Sequence, residues 1–242
     1  MANYFIIAAT SDIGSECCRQ LKQQGHHLYL CGRDNTRLEE VAKQTQSAYQ
    51  VVDATDFEAV LSAAAHAKTD LGSIDGVVCF SGSLLLKNAA NTSYNEYLQT
   101  VHANLTTAFA TIRAASKVMV DGGNIVLFSS AVAMHGIANH EAIAASKAGV
   151  IGLAISAAAS FASKNIRVNV VAPGMTNTRL TKDITSNKAS LNFSKQMHAL
   201  KQIANIDDIV NTVIFLLGSK HITGQVIAVD GGLSKVAPKI KV

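Results

Sequence analysis

Short apolar runs recur along this 242-residue chain with longer helix-patterned stretches between them, and that alternation leaves few folds open. The runs are NYFIIAA (3–9), HLYLCG (27–32), AYQVVD (48–53), GVVCFSG (76–82), GNIVLFSS (123–130), IRVNVVAP (166–173) and QVIAVDGG (225–232). Several are nearly continuous in Val, Ile and Leu, the pattern of strands buried on both faces. Helical patterns lie at 13–24, 35–45, 56–67, 93–120, 139–163 and 207–218. Strand–helix alternation with right-handed crossovers predicts an α/β fold with a doubly wound parallel sheet. No linker, repeat or low-complexity segment interrupts it, so residues 1–242 are expected to form a single domain. Residues 175–204 depart from the rhythm: they are polar and irregular, and they follow Pro173-Gly174. Ligands of such sheets bind beyond the C-terminal strand ends, so this segment is expected to be a substrate lid.

Composition excludes several classes of function. Hydrophobic residues make up 48% and charged residues 16%, which points to a packed domain and not a disordered chain. No uninterrupted apolar run reaches the roughly 18 residues of a membrane span. The N-terminal YFIIAA lacks the flanks of a secretion signal. A cytoplasmic protein with no membrane partner is therefore expected. Cys17, Cys18, Cys31 and Cys79 make no metal pattern and are expected to be reduced thiols used as small apolar residues. The net charge of +4 suits an anionic cofactor or a small anionic substrate. It is too dispersed to suggest nucleic acid.

The segment IIAATSDIGSECC joins the first strand to the first helix. Gly14 lets the backbone approach a diphosphate, and the free N–H groups of a helix start favour anions. Thr10, Ser11, Asp12 and Ile13 complete the turn. An acidic residue at the end of the second strand would hold the ribose 2′-OH of NAD. Here that position is Gly32, followed by Arg33, whose guanidinium can pair with a 2′-phosphate, with Arg37 one turn on. NADP(H) is thus expected over NAD(H), which stays possible. Asp53 and Ala54 at the third strand end are placed to meet adenine.

In their joint order these segments resemble the short-chain dehydrogenase/reductase family from residue 3 to about 233. AATSDIG stands at the family's glycine-rich loop, with Ala8 and Asp12 in place of two glycines; VVDATD resembles its adenine-contacting motif. VVCFSG stands at its Asn-Asn-Ala-Gly motif, keeping Gly82 with Ser81 beside it. HANLTTAF supplies the helix Asn as Asn104, and IVLFSS the active-site Ser as Ser130. IRVNVVAPGMTNT and ITGQVIAVDGG are close to its late motifs, with Pro173, Gly174, Thr176 and Thr178 at the nicotinamide end. The resemblance implies a Rossmann-type sheet, hydride transfer between a nicotinamide cofactor and a carbonyl or alcohol, and a homodimer or homotetramer. The small-residue faces of 93–120 and 139–163 suit that assembly.

The same resemblance implies a catalytic Ser, Tyr and Lys, with Asn holding a water that relays protons to Lys. Ser130, Lys147 and Asn104 fall at three of these positions, and Lys147 also at a cofactor-ribose position. The Tyr position, four residues before Lys147, is Ile143, which transfers no proton. On a helix that starts after an Asn139 cap, residues seven apart are separated by about 700°, within some 40° of one face. His140 is seven residues before Lys147, the spacing at which the family's enoyl reductases place their Tyr. An imidazole can serve as acid or base. His140 can equally be part of a capped first turn beside Glu141, and His135 precedes it in the loop. Tyr94 and Tyr97 are expected to be packing residues. Three readings stand at this point: an NADP(H)-dependent reductase with an atypical active site, a nucleotide-binding pseudoenzyme or sensor, and an enoyl-type reductase.

Overall fold

A computed structural model describes residues 1–237. All seven expected strands are present: β1 (Asn3–Ile7), β2 (His27–Gly32), β3 (Ala48–Val51), β4 (Gly76–Cys79), β5 (Gly123–Phe128), β6 (Ile166–Pro173) and β7 (Val226–Val229). They form one parallel sheet in the order β3-β2-β1-β4-β5-β6-β7. The chain winds outward from β1 in one direction and then from β4 in the other. The crevice between β1 and β4 is therefore the switch point at which such sheets bind ligands.

Helices cover both faces because alternate strand residues point to opposite sides. Tyr4 and Ile6 join one core with α1 (Asp12–Gln23), α2 (Asn35–Thr45) and α9 (Ile206–Gly218). Phe5 and Ile7 join the other with α3 (Phe57–Leu71), α5 (Thr107–Val118) and α6 (Glu141–Phe161). The continuous apolar strands are thus buried twice over, as their lack of alternation implies. All four cysteines are buried and free, and burial pushes the Cys17 and Cys31 thiols up to about 12.

Three expectations need correction. The helical pattern at 93–120 is broken into α4 (Tyr94–Val101) and α5 by a π-helical turn at His102–Thr106. The Asn104 amide enters the helix ladder there and donates to the Thr100 carbonyl at 2.9 Å. On α4, Tyr94 and Tyr97 are 73% and 44% exposed, so they are not packing residues; Thr100 is the buried one. Residues 175–204 are not irregular throughout: they carry α7 (Lys182–Thr185) and α8 (Lys188–Met197). The Asn187 side chain starts α8 by accepting from the N–H groups of Ala189 and Ser190.

Residues Glu141–Lys164 are long and apolar enough, by length and composition, to cross a bilayer. The count of uninterrupted apolar residues misses this because Ser and Gly punctuate the helix. Here α6 packs on β6, with Ser146 and Lys147 among its buried residues.

Candidate functional site

The glycine-rich turn keeps its shape although its glycines are reduced to one. Ser11 caps α1 by accepting from the Gly14 N–H at 3.0 Å. Ala8 takes φ +57°, a left-handed conformation that glycine adopts without strain. At Gly14 a Cβ would lie 2.7 Å from Ser11 Oγ and 2.8 Å from the Ala8 carbonyl oxygen, so only glycine fits. Ser11 is the cap and Asp12 is the first helical residue. The Asp12 carboxylate turns to Arg179.

A crevice of about 1010 Å³ opens above this turn. Thr10, Ser11, Asp12 and Ile13 line its floor, and Arg33, Asp53 and Ala54 one end. Ser81, Gly82 and Thr178 line it further along. The end of β2 is tight: a Cβ on Gly32 would come within 3.1 Å of the Thr10 side chain, which disfavours an acidic side chain there. Arg33 is exposed into the crevice. Arg37 lines it too, but its Nε lies 3.5 Å from Asp34. Asp53 accepts from the Thr55 N–H at 2.9 Å and hydroxyl at 2.8 Å. Those bonds, with a smaller contribution from Arg33, hold its carboxyl below the usual range. The backbone cradle, the cation at the β2 end and the acceptor at the β3 end fit a dinucleotide.

Behind Gly82 lies a corner that holds Asn104 and Lys147. A Cβ on Gly82 would meet Asn104 Oδ1 at 3.2 Å and Lys147 Nζ at 3.4 Å, so both groups stand directly behind the glycine; neither lines the crevice itself. Asn104 is 1% exposed. Its Nδ2 donates to Ser83 Oγ at 3.0 Å and its Oδ1 accepts from the Ser83 N–H at 3.2 Å. The π turn that carries Asn104 is a helix defect common at functional sites. Lys147 is buried and donates to the Phe128 carbonyl at 2.9 Å. Burial drives its pKa down to about 8. The next residues along β5 complete the corner: Ser129 donates to the Lys147 carbonyl at 2.8 Å, and Ser130 Oγ lies 3.5 Å from the Pro173 carbonyl. Ile143 is 5% exposed.

His140 does not sit where a continuous helix would put it. Asn139 is left-handed at φ +64°, and His140 itself is the cap of α6, with non-helical φ −118° and ψ 13°. The angular argument from Lys147 therefore stops one residue short, because α6 begins at Glu141. Its Nδ1 is 2.7 Å from the Ala138 carbonyl, an acceptor, so that nitrogen donates. His135 is exposed in the preceding loop.

Past the end of β6, Gly174 has room for no side chain: a Cβ would meet His198 Nε2 at 2.7 Å and Asp230 Cα at 2.9 Å. Thr176 is buried and donates to the Gly174 carbonyl at 3.2 Å. Ser83, Arg179 and His198 were not among the sequence candidates. Their contacts come from loops that tertiary structure brings together, and no local pattern marks them.

A family model described as enoyl-(acyl carrier protein) reductase matches residues 7–234. The chain is 32% identical to a 3-oxoacyl-[acyl-carrier-protein] reductase of Rattus norvegicus, over 96% of this chain and 98% of that one. It is 38% identical to carbonyl reductase family member 4 of Xenopus laevis, over 69% of each. Its fold is similar to a short-chain type dehydrogenase/reductase from Mycobacterium ulcerans, with a TM-score of 0.91, 25% identity, and coverage of 96% of this chain and 90% of that one.

Proposed function

The chain belongs to the short-chain dehydrogenase/reductase family, and on that premise we propose that it is an NADP(H)-dependent reductase of a carbonyl substrate with an atypical proton donor. The observation that carries the reading is Gly82: on its open side is the dinucleotide crevice, and behind it stand Asn104 and Lys147. When bound, the nicotinamide supplies the hydride. Arg33 favours the 2′-phosphate of NADP(H), since no carboxylate occupies the end of β2. Lys147 holds a positive charge beside the crevice, Asn104 fixes the Ser83 turn, and Ser130 orients the substrate oxygen. The proton comes from His140 or from a water held near Asn104, since Ile143 supplies none. The relatives' names favour a 3-ketoacyl thioester or a simple carbonyl over an enoyl substrate.

The same reading makes the protein a cytoplasmic homo-oligomer. Its four buried thiols suit a reducing compartment. Phe109 on α5 and Ile155 on α6 are 49% and 50% exposed on faces that a second copy would cover. A second reading, a nucleotide-binding sensor without turnover, is favoured by Ile143 alone.

Purified protein with NADPH or NADH and a panel of ketones, quinones, 3-ketoacyl thioesters and enoyl thioesters separates these readings. The expected outcome is oxidation of NADPH by 3-ketoacyl thioester or ketone, with a preference over NADH that falls by about tenfold or more in Arg33→Ala, as loss of a charged hydrogen bond implies. A drop of about 100-fold or more in His140→Ala would make it the donor, and no change would leave water. Tight NADPH binding without turnover on any substrate would overturn the reductase and leave the sensor.

A further inference from the structure

The lid is tied down at two places of different kinds. At its base the two ends meet: the Ala204 N–H donates to the Met175 carbonyl at 2.9 Å, and the Asn177 N–H to the Ala204 carbonyl at 3.2 Å. His198, at the end of α8, fastens the same point. Its Nε2 accepts from the Met175 N–H at 3.2 Å, while its Nδ1 lies 2.7 Å from the Ser194 carbonyl. Thr176 and His198 are buried, so the base is a packed hinge.

At the other place a single residue reaches across the crevice. The Arg179 backbone N–H donates to Asp12 Oδ2 at 2.6 Å. Its Nε donates to the other carboxylate oxygen of Asp12, and its Nη2 to the Thr10 carbonyl at 2.6 Å. Thr10 and Asp12 belong to the glycine-rich turn, and Thr10, Asp12 and Arg179 all line the crevice. Arg19–Glu16, Arg37–Asp34 and Lys43–Glu39 pair within one turn of their own helices, or at its cap. Arg179–Asp12 joins residues 167 apart in sequence and spans the site. Asp12 is not the cap of α1, since Ser11 fills that place. An unpaired carboxylate at this turn would repel a diphosphate; paired with Arg179 it is neutral. A guanidinium has five N–H donors, and two are used in these contacts.

We propose that Asp12 and Arg179 form a latch that ties the start of the lid, two residues beyond its base, across the dinucleotide crevice, so that nucleotide exchanges only when the pair parts. The proposal rests on the dinucleotide reading above. The base at Met175, Ala204 and His198 stays closed while the latch opens, and the segment 178–193, short of the buried Ser194 and His198, is what swings. Arg179 is a positioning residue, since it acts by holding the lid.

Two measurements test it. The first is NADPH release, followed by stopped-flow displacement through the nicotinamide's own fluorescence, in wild type, Asp12→Asn, Arg179→Gln and the double variant. Each single variant is expected to release about tenfold faster, and the double no faster than either single, because all three remove one contact. Wild-type release is expected to quicken with salt, and the double variant to lose that dependence. The second is amide exchange without nucleotide. In Asp12→Asn the Arg179 amide and its neighbours to 186 are expected to exchange faster, with Asn177 and Ala204 unchanged. Release rates equal to wild type, or a double variant that is the product of two independent effects, would overturn the latch. If wild type binds neither NADPH nor NADH, the dinucleotide reading fails, and exchange at Arg179 alone decides whether the lid is latched.

Discussion

The glycine-rich turn and the corner around Lys147 have both departed from the family pattern, with opposite consequences. In the turn, Ala8 and Asp12 replace glycines, yet Ala8 holds φ +57° and Gly14 keeps its close contacts. On the dinucleotide reading proposed above, backbone N–H groups do the binding there, and any residue that tolerates the conformation can supply them. In the corner the scaffold is intact: Asn104 is held on its π turn, and Lys147 is bonded to Phe128. What the resemblance implies and Ile143 does not supply is a proton-donating side chain. Ile143 is buried and packed, but no arrangement of backbone around it gives a proton to move. Work done by the main chain survives substitution at those positions, and work done by a functional group does not.

The strongest way to break this contrast is at Gly14. A Val there would put a Cβ 2.8 Å from a backbone oxygen, so the turn itself must shift. Gly14→Val is expected to weaken NADPH binding by about 100-fold or more, by titration calorimetry. It should also cost about 1–3 kcal/mol of stability as an overpacked site. Near-normal binding would mean that the main chain of the turn is not what binds.

Lys147 tests the other half. Lys147→Met is expected to lower turnover by about 100-fold while the turn still binds NADPH, because the lost part is a functional group. The pH dependence carries a sign. Burial lowers the Lys147 pKa to about 8, so the ammonium needed at the corner is present below that pH. Reduction by wild type is expected to fall as pH rises through about 8, and the residual activity of the Met variant to show no such step. The folded pKa lies below the unfolded value of about 10.4, so the unfolded chain binds more protons between them. Stability from this group therefore rises from about pH 8 to about pH 10.4, and denaturant melts of Lys147→Met should lack that rise.

What the sequence made legible follows the same division. Strands buried on both faces are written locally as runs such as IRVNVV, and all seven were found in place. The turn was legible from Gly14, whose need is set by atoms within six residues of it. Asn104 was legible as a residue but not as a break in the helix, and its amide's further partner, Ser83, is 21 residues away. The start of α6 was misplaced by one residue because Asn139, a good cap by type, adopts a left-handed turn instead. Arg179 gave no signal at all: its partners are 167 and 169 residues distant, and an Arg in a polar loop reads as solvated surface.

The smallest expected effect sharpens the contrast most, because it asks whether the worn glycine loop lost anything. A non-glycine residue in the left-handed region carries about 1–2 kcal/mol of strain. Ala8→Gly removes that strain, while the freer unfolded chain returns about 0.5–1 kcal/mol of it. The net expectation is a gain of about 0.5–1 kcal/mol, a rise in melting temperature of about 1–4 °C for a domain of this size. NADPH affinity should stay within about twofold, since the turn already has the glycine conformation. If Ala8→Gly instead tightened binding by about tenfold, the turn would be distorted by its alanine, and its loss would be of the same kind as the loss at Ile143.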